Sequence, residues 1–202
     1  MDDPSRFTSI NEYYTFIYAI SYMMLVELGI WIYNFKGWLK RPDKKNNDYG
    51  TILIVMLGCW GSFYFSTYFR SQQFIQIAGE ILLPHIFYYV GIAFILVGTT
   101  LRAVAVWSLR YSFTLSVKTG GNQQLVTTGI YRFSRNPAFL GFDLMYVGVL
   151  LLYGNLLTLS FSAFAIVMLH LQILQEERYL VNNFGAPYQE YCRHVFRYLG
   201  RK

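Results

Sequence analysis

The chain has 202 residues, of which 54% are hydrophobic and only 14% are charged, and this composition exposes too much apolar surface for a water-soluble fold. The formal charge of +6 at pH 7 does not indicate nucleic-acid binding, because the basic residues lie at the ends of apolar segments, where membrane topology accounts for them. We therefore predict an integral membrane protein, with residues 1–202 forming a single transmembrane domain.

Five apolar segments approach the length of about 20 residues that a helix needs to cross a bilayer. In chain order they are residues 13–35, 51–69, 81–101, 138–153 and 156–174. The short stretch "YGN", residues 153–155, separates the last two segments, which predicts a tight helical hairpin. The predicted fold is an all-α integral membrane protein with about five transmembrane helices.

Lysine and arginine residues concentrate on one side of this five-span arrangement. They lie in the first loop, in residues 102–137 and in residues 175–202, whereas the other side holds Arg6 and Arg70. Because cytosolic loops retain positive charge, we expect the N-terminus outside and the C-terminus in the cytosol. Residues 102–137 and 175–202 are then cytosolic pieces that meet at the membrane face, where loops held over a rigid scaffold commonly carry function.

The start of the fourth segment, "SRNPAFLGF", combines helix-start residues with positive charge. Asn136 suits the N-cap position and Pro137 the first turn of a helix. A helix start beside Arg132 and Arg135 also favours an anionic group such as a carboxylate. Alternatively, the two arginines anchor the helix by contacting lipid phosphates.

Two adjacent acids, Glu176 and Glu177, follow the fifth apolar segment in "LQILQEERYLVNNFGAPYQEY". Acidic side chains at that depth need water, an arginine or a cationic ligand. Alternatively, the helix has already reached the lipid headgroups and Arg178 pairs with the acids. Further along, Gly185 suits the end of this helix, because Pro187 cannot continue it.

Weaker signals lie within the apolar segments. We expect Glu27 to pair with a polar group on another helix, the alternative being that it faces a water-filled interior. Asp143 has the right position to face the same interfacial cavity as the arginines. The three histidines, His85, His170 and His194, show no metal-ligand spacing, so we predict no metal site.

Three stretches, "LRAVAVWSLRYSFTLSV", "LVTTGIYRFSRNPAFLG" and "EERYLVNNFGAPYQEY", in this order and spacing, resemble the isoprenylcysteine carboxyl methyltransferase and phospholipid methyltransferase family. The resemblance covers roughly residues 95–199. It implies an enzyme that binds S-adenosyl-L-methionine at the cytosolic face, between the loop and the C-terminal helix that cover the site. The implied methyl acceptor is a lipophilic or small molecule with a carboxylate, amine or thiol, reached from the lipid bilayer. The implied location is a bacterial or archaeal inner membrane or the endoplasmic reticulum.

The resemblance also implies which residues form the site. The cofactor-binding residues that it implies are Gln123, Gln124, Leu125, Val126, Tyr131, Arg135, Asn136, Pro137, Ala138, Phe139 and Glu176, with Glu177 as the adjacent alternative to Glu176. The implied substrate-binding residues are Gln172 and Arg197, and no catalytic residue is assigned.

Four positions depart from the family pattern. Family members often have histidine at the positions of Gln123 and Asn136 and tyrosine at the position of Phe139. Carboxyl methyltransferases resemble one another in an arginine at the position of Gln172, which would hold an acceptor carboxylate.

Two other functions stay open at this point. Sterol reductases, which bind NADPH, resemble the C-terminal pattern but commonly show Asn-x-x-Gly-Glu at the start of the hairpin, whereas Phe142 follows Gly141 here. A non-catalytic membrane scaffold would explain each motif by helix capping and membrane anchoring alone.

Overall fold

The computed structural model describes residues 10–39, 83–118 and 125–201. The described residues form helices, with one isolated β-bridge between Val195 and Arg201. The helices are α1 (Ile10–Leu39), α2 (Ile86–Lys118), a short 3-10 helix (Gly129–Arg132), α3 (Pro137–Tyr153), α4 (Leu156–Phe184) and α5 (Ala186–His194). The all-α prediction is confirmed for this part of the chain, and the predicted segment 51–69 lies outside the described residues.

Two stretches are long and apolar enough to cross a membrane by length and composition. They are Ile86–Leu109 in α2 and Thr158–Phe184 in α4. Tyr14–Ile30 in α1 and Pro137–Leu152 in α3 are shorter apolar helices. The membrane character of the chain is therefore supported, and the number of five crossings stays a prediction.

Two helices extend well beyond the apolar segments that predicted them. Helix α2 continues past residue 101 to Lys118, and α4 continues past residue 174 to Phe184. A helix ends where the backbone is interrupted, which need not be where the side chains become polar. Gly185 ends α4 with a φ of +59°, as predicted, whereas Pro187 lies at the start of α5, a position that proline tolerates.

Helices α2 and α3 pack with their backbones in contact along two pairs of glycines. A Cβ atom added to Gly98 would lie 2.5 Å from the carbonyl oxygen of Gly141, and one added to Gly91 would lie 2.8 Å from that of Gly148. The order of the contacts shows that the helices run antiparallel. Glycine is required at this seam because any side chain would separate the two backbones.

Helix α3 also packs against α4. The two helices are separated by Gly154, which has a φ of +39°, and by Asn155, whose side chain accepts a hydrogen bond of 2.7 Å from the backbone N–H of Thr158. Ser162 of α4 donates to the carbonyl oxygen of Tyr146 in α3, at 3.4 Å. The buried residues of this contact are Phe142, Met145 and Tyr146 of α3 with Ala165 and Leu169 of α4.

A second apolar cluster joins α1 to α2 and α3. Its buried residues are Phe16, Ala19 and Ile20 of α1, Tyr88, Ile92 and Ile95 of α2, and Val149 and Leu152 of α3. Helix α3 therefore packs among the other three long helices, with its last turns in this cluster.

A buried ion pair connects α1 to α2. Arg102 donates through Nε to Glu27, and its guanidinium carbon lies 3.7 Å from the centroid of the Phe142 ring. The expected pairing of Glu27 with another helix is thus confirmed. Arg102, which the charge pattern counted with the cytosolic residues, is buried inside the bundle, where Glu27 neutralises it.

Candidate functional site

A buried tyrosine of α5 holds the loop before α3 through hydrogen bonds. The hydroxyl of Tyr191 donates to the carbonyl oxygen of Tyr131 at 2.6 Å and lies 3.3 Å from that of Ser134. The hydroxyl of Tyr131 in turn donates to the carbonyl oxygen of Ala105 in α2 at 3.4 Å. Burial raises the pKa of Tyr131 and of Tyr191 above the usual range, so both hydroxyls keep their protons for these bonds.

Glu177 of α4 is the centre of a polar cluster beneath this loop. Its Oε1 accepts a hydrogen bond from Asn136 Nδ2 at 3.2 Å and lies 3.4 Å from Nη2 of Arg135. Its Oε2 accepts from Nε and Nη2 of Arg197 at 3.1 and 2.8 Å. The bonds to Glu177 also raise the pKa of Arg197. One carboxylate therefore connects the end of α4 to the start of α3 and to the C-terminal segment.

The C-terminal segment, residues 195–201, covers this cluster from above. Its backbone joins the loop through two hydrogen bonds: Arg135 N–H to the Phe196 carbonyl at 3.2 Å, and Gly200 N–H to the Phe133 carbonyl at 2.7 Å. Arg135 also donates through Nη1 to the sulfur of Cys192. That this segment covers a cofactor site stays a prediction.

Asn136 occupies the N-cap position of α3 without capping it. Its side-chain amide donates to Glu177 and, at 3.3 Å, to the carbonyl oxygen of Arg197, and makes no capping hydrogen bond to the helix. The expected capping is therefore wrong for the side chain, because Glu177 and Arg197 engage it. The first-turn N–H groups, at Ala138 and Phe139, are left without a side-chain cap, and such a helix start favours an anionic group.

Glu176 lies on a different face of α4 from Glu177, since neighbouring helical residues point about 100° apart. It is exposed, and Gln172 donates to its Oε1 at 3.5 Å, while Gln172 itself is buried. The negative charge of Glu176 contributes to the raised pKa of Tyr131, after burial and Tyr191. Glu176 is thus the solvent-accessible acid near the loop, and Glu177 is the buried one.

The remaining predicted residues divide into three groups. Gln123 and Gln124 lie outside the described residues. Leu125 packs against the cluster of Tyr188, Tyr191 and Val195, and Phe139 against the apolar contact of α3 with α4. Of the others, Val126 and Ala138 are half-buried, and Pro137 is buried in the first turn of α3.

Arg132 points away from the Glu177 cluster. It is exposed and lines an open groove of about 580 Å³ together with Tyr191, His194 and Arg201. None of the predicted cofactor-binding residues lines this groove. The arginines flanking the helix start therefore have different environments, and Arg135 is the one that joins the cluster.

Sequence reasoning missed Ser134, Tyr191 and Cys192, which hold the loop and Arg135 in place. Ser134 is fully buried, and its Oγ accepts a hydrogen bond of 3.1 Å from the backbone N–H of Asn136. Tyr191 lies in the stretch "FGAPYQEY" as the second tyrosine of a Tyr-x-x-Tyr spacing, which is the signal that the sequence offers. Only the fold shows that its hydroxyl reaches back to residues 131 and 134.

Most of these helices lie in a stretch of the chain that matches one known protein family. The model of the phospholipid methyltransferase family matches residues 86–187, which contain α2, the 3-10 helix, α3, α4 and the first residues of α5.

Several named proteins are similar to this chain over 108 to 112 residues. Protein-S-isoprenylcysteine O-methyltransferase of Schizosaccharomyces pombe is 35% identical over 108 residues, covering 52% of this chain and 46% of that protein. A probable protein-S-isoprenylcysteine O-methyltransferase of Oryza sativa subsp. indica is 34% identical over 112 residues, covering 53% and 58%. Protein-S-isoprenylcysteine O-methyltransferase B of Arabidopsis thaliana is 34% identical over 110 residues, covering 52% and 55%. The matches span about half the length of each of these relatives.

Proposed function

Because the chain belongs to the phospholipid methyltransferase family, we propose that it is an integral membrane enzyme that transfers a methyl group from S-adenosyl-L-methionine to a lipophilic or small acceptor. The names of its relatives support methyl transfer. The distribution of basic residues supports a site at the cytosolic face. The single observation that carries the proposal is that the family match contains α3 and α4, the two helices that bring Asn136 and Glu177 together.

The residues present fit the charges of the cofactor. Its amino acid part carries an ammonium and a carboxylate, and its ribose carries two hydroxyls. The exposed Glu176 suits the ammonium or a ribose hydroxyl, and the uncapped N–H groups of Ala138 and Phe139 suit the carboxylate. When bound, the cofactor supplies an electrophilic methyl group on a sulfonium.

The Glu177 cluster has a positioning role in this proposal. Arg135 and Arg197 are both engaged by Glu177, which holds the start of α3 at a constant distance from the end of α4. The two proposed cofactor contacts lie on these two helices. Fixing their separation aligns the reacting groups, and alignment in a water-poor site supplies much of the rate of a displacement reaction.

The environment of the site excludes bulk water on the membrane side. Phe139 and the buried residues of the α3–α4 contact form an apolar floor, and Leu125 packs under the C-terminal segment. A nucleophile bound beside these apolar residues is partly desolvated and reacts more readily than in water.

The test is calorimetric titration of the detergent-purified protein with S-adenosyl-L-methionine, with S-adenosylhomocysteine and NADPH as parallel ligands. We expect saturable binding of the first two, weakened at least about tenfold by Glu176→Gln. The matched control is Glu190→Gln, the same change at an exposed acid that pairs with Arg193 on the surface.

Folded protein that binds neither S-adenosyl-L-methionine nor S-adenosylhomocysteine would refute the proposal. Binding of NADPH alone would point to a reductase. Transfer of tritium from the labelled methyl group into an organic extract then measures turnover.

A further inference from the structure

Asp143 is a half-buried acid that the proposed cofactor contacts do not use. It lies in the apolar helix α3, and its Oδ1 is buried with no hydrogen-bond partner among the described residues. Unpaired carboxylate oxygens away from water are costly and are rare in membrane helices. Such a group points to a ligand or a reaction that uses it.

Helix register places Asp143 level with His170 of α4. Asn136 and Glu177 are in contact at 3.2 Å, and the two helices run antiparallel. Seven residues further along α3 is Asp143, and seven residues back along α4 is His170. Seven residues are about two helical turns. Asp143 therefore lies on the same face of α3 as Asn136, and His170 on the same face of α4 as Glu177, each about 10 Å along its helix from the Glu177 cluster.

The C-terminal segment reaches the same place through Tyr198. The hydroxyl of Tyr198 lies 2.6 Å from Nδ1 of His170, with the two rings stacked at 6.0 Å. Burial, and after it the negative charge of Asp143, raises the pKa of Tyr198. Helix register and the effect of its charge on Tyr198 therefore place Asp143 near the hydrogen-bonded pair of His170 and Tyr198.

The carboxylate of Asp143 itself disfavours a second carboxylate beside it. In the part of the chain that the structure describes, Arg102 is paired one-to-one with Glu27, whereas Arg135 and Arg197 share the one carboxylate of Glu177. Gln172 is neutral at the position where the carboxyl methyltransferases resemble one another in an arginine. A second anion beside Asp143 would be repelled, whereas a head group that donates a hydrogen bond would satisfy the unpaired Oδ1 of Asp143.

We propose that the head group of the methyl acceptor is bound by Asp143, His170 and Tyr198. This head group is a nucleophile that carries a proton, namely an ammonium or a thiol. Asp143 takes that proton. This inference rests on the proposed methyl transfer. The proton moves from the nitrogen or sulfur to the Asp143 carboxylate. The freed lone pair forms the new bond to the methyl carbon. At the same time the bond between that carbon and the sulfonium sulfur breaks, and the electron pair of the broken bond stays on the sulfur of the cofactor.

The probes are three amphiphiles with the same chain: dodecylamine, dodecanethiol and dodecanoate. Each is incubated with the protein in lipid nanodiscs and S-adenosyl-L-methionine labelled in the methyl group. We expect the amine or the thiol to be methylated and dodecanoate to be methylated at least about tenfold more slowly. We expect Asp143→Asn to lower kcat by about 100-fold or more, while the calorimetric Kd for the cofactor stays within about twofold.

Three further measurements keep the result interpretable. Glu190→Gln is the matched removal of a carboxylate at an exposed position and should retain wild-type turnover. Thermal melting checks that Asp143→Asn folds. If it does not, Tyr198→Phe replaces it, and we expect that variant to raise KM for the active probe because the head loses a hydrogen-bond partner.

The outcomes separate this inference from the proposed function. Preferred methylation of dodecanoate, undiminished turnover in folded Asp143→Asn, or methylation of none of the three probes by protein that binds the cofactor would each overturn the inference and leave the enzyme class standing. Failure of the folded wild-type protein to bind the cofactor would overturn the proposed function and this inference with it.

Discussion

The two adjacent glutamates of α4 should respond differently to the same substitution. Glu177→Gln removes the charge that faces Arg135 and Arg197, whose side chains are 12% and 34% exposed. Loss of one partner from a buried ion pair costs about 3 to 5 kcal/mol. We expect the lower end, about 3 kcal/mol, because Arg197 is partly hydrated and the glutamine carbonyl still accepts one hydrogen bond.

The same change at Glu176 should leave the stability nearly unaltered. Glu176 is exposed, and surface substitutions usually change the free energy of unfolding by less than about 0.5 kcal/mol. The expected loss for Glu176→Gln is instead in the affinity for S-adenosyl-L-methionine.

Thermal melting in one detergent, followed by cofactor titration, distinguishes the two roles. For a chain of this size, 3 kcal/mol corresponds to a fall in Tm of about 6 to 12 °C. We expect this fall for Glu177→Gln and a Tm change of under about 2 °C for Glu176→Gln. Equal melting temperatures for both variants, or a large fall for Glu176→Gln, would refute the assignment of Glu177 as the positioning acid.

Three further outcomes test the fold. Gly98→Ala should destabilise the protein by about 1 to 3 kcal/mol by separating α2 from α3, whereas Gly29→Ala, which meets no atom within 4 Å, should be neutral or stabilising in parallel melting experiments. Glu27→Gln should lower Tm strongly because it leaves the Arg102 charge buried, and adding Arg102→Met should recover part of the loss in a double-mutant cycle. Tyr191→Phe should cost about 1 to 3 kcal/mol, since two buried carbonyl oxygens lose their donor, and proteolysis should then cut the loop before α3 more readily.

The amino-acid sequence by itself determined the class of the protein and the family. The long apolar runs can satisfy their backbone groups in a membrane only as helices, which is why the all-α prediction succeeded. Gly185 and Pro137 marked helix boundaries correctly, because their backbone restrictions act locally. The family resemblance rested on order and spacing, and these are read directly along the chain.

Tertiary structure decided which side chains meet. The sequence shows two adjacent glutamates but not which one is buried, because that depends on the rotation of α4 about its axis, which its neighbours set. It is the packing of the C-terminal segment that brings Arg197 to Glu177, across 20 positions, and Tyr198 to His170. Helix packing likewise decides the glycine seam, the pairing of Arg102 with Glu27 and the placement of Asp143 at the same height as His170. Contacts between residues far apart in the chain leave no periodic pattern in a single sequence.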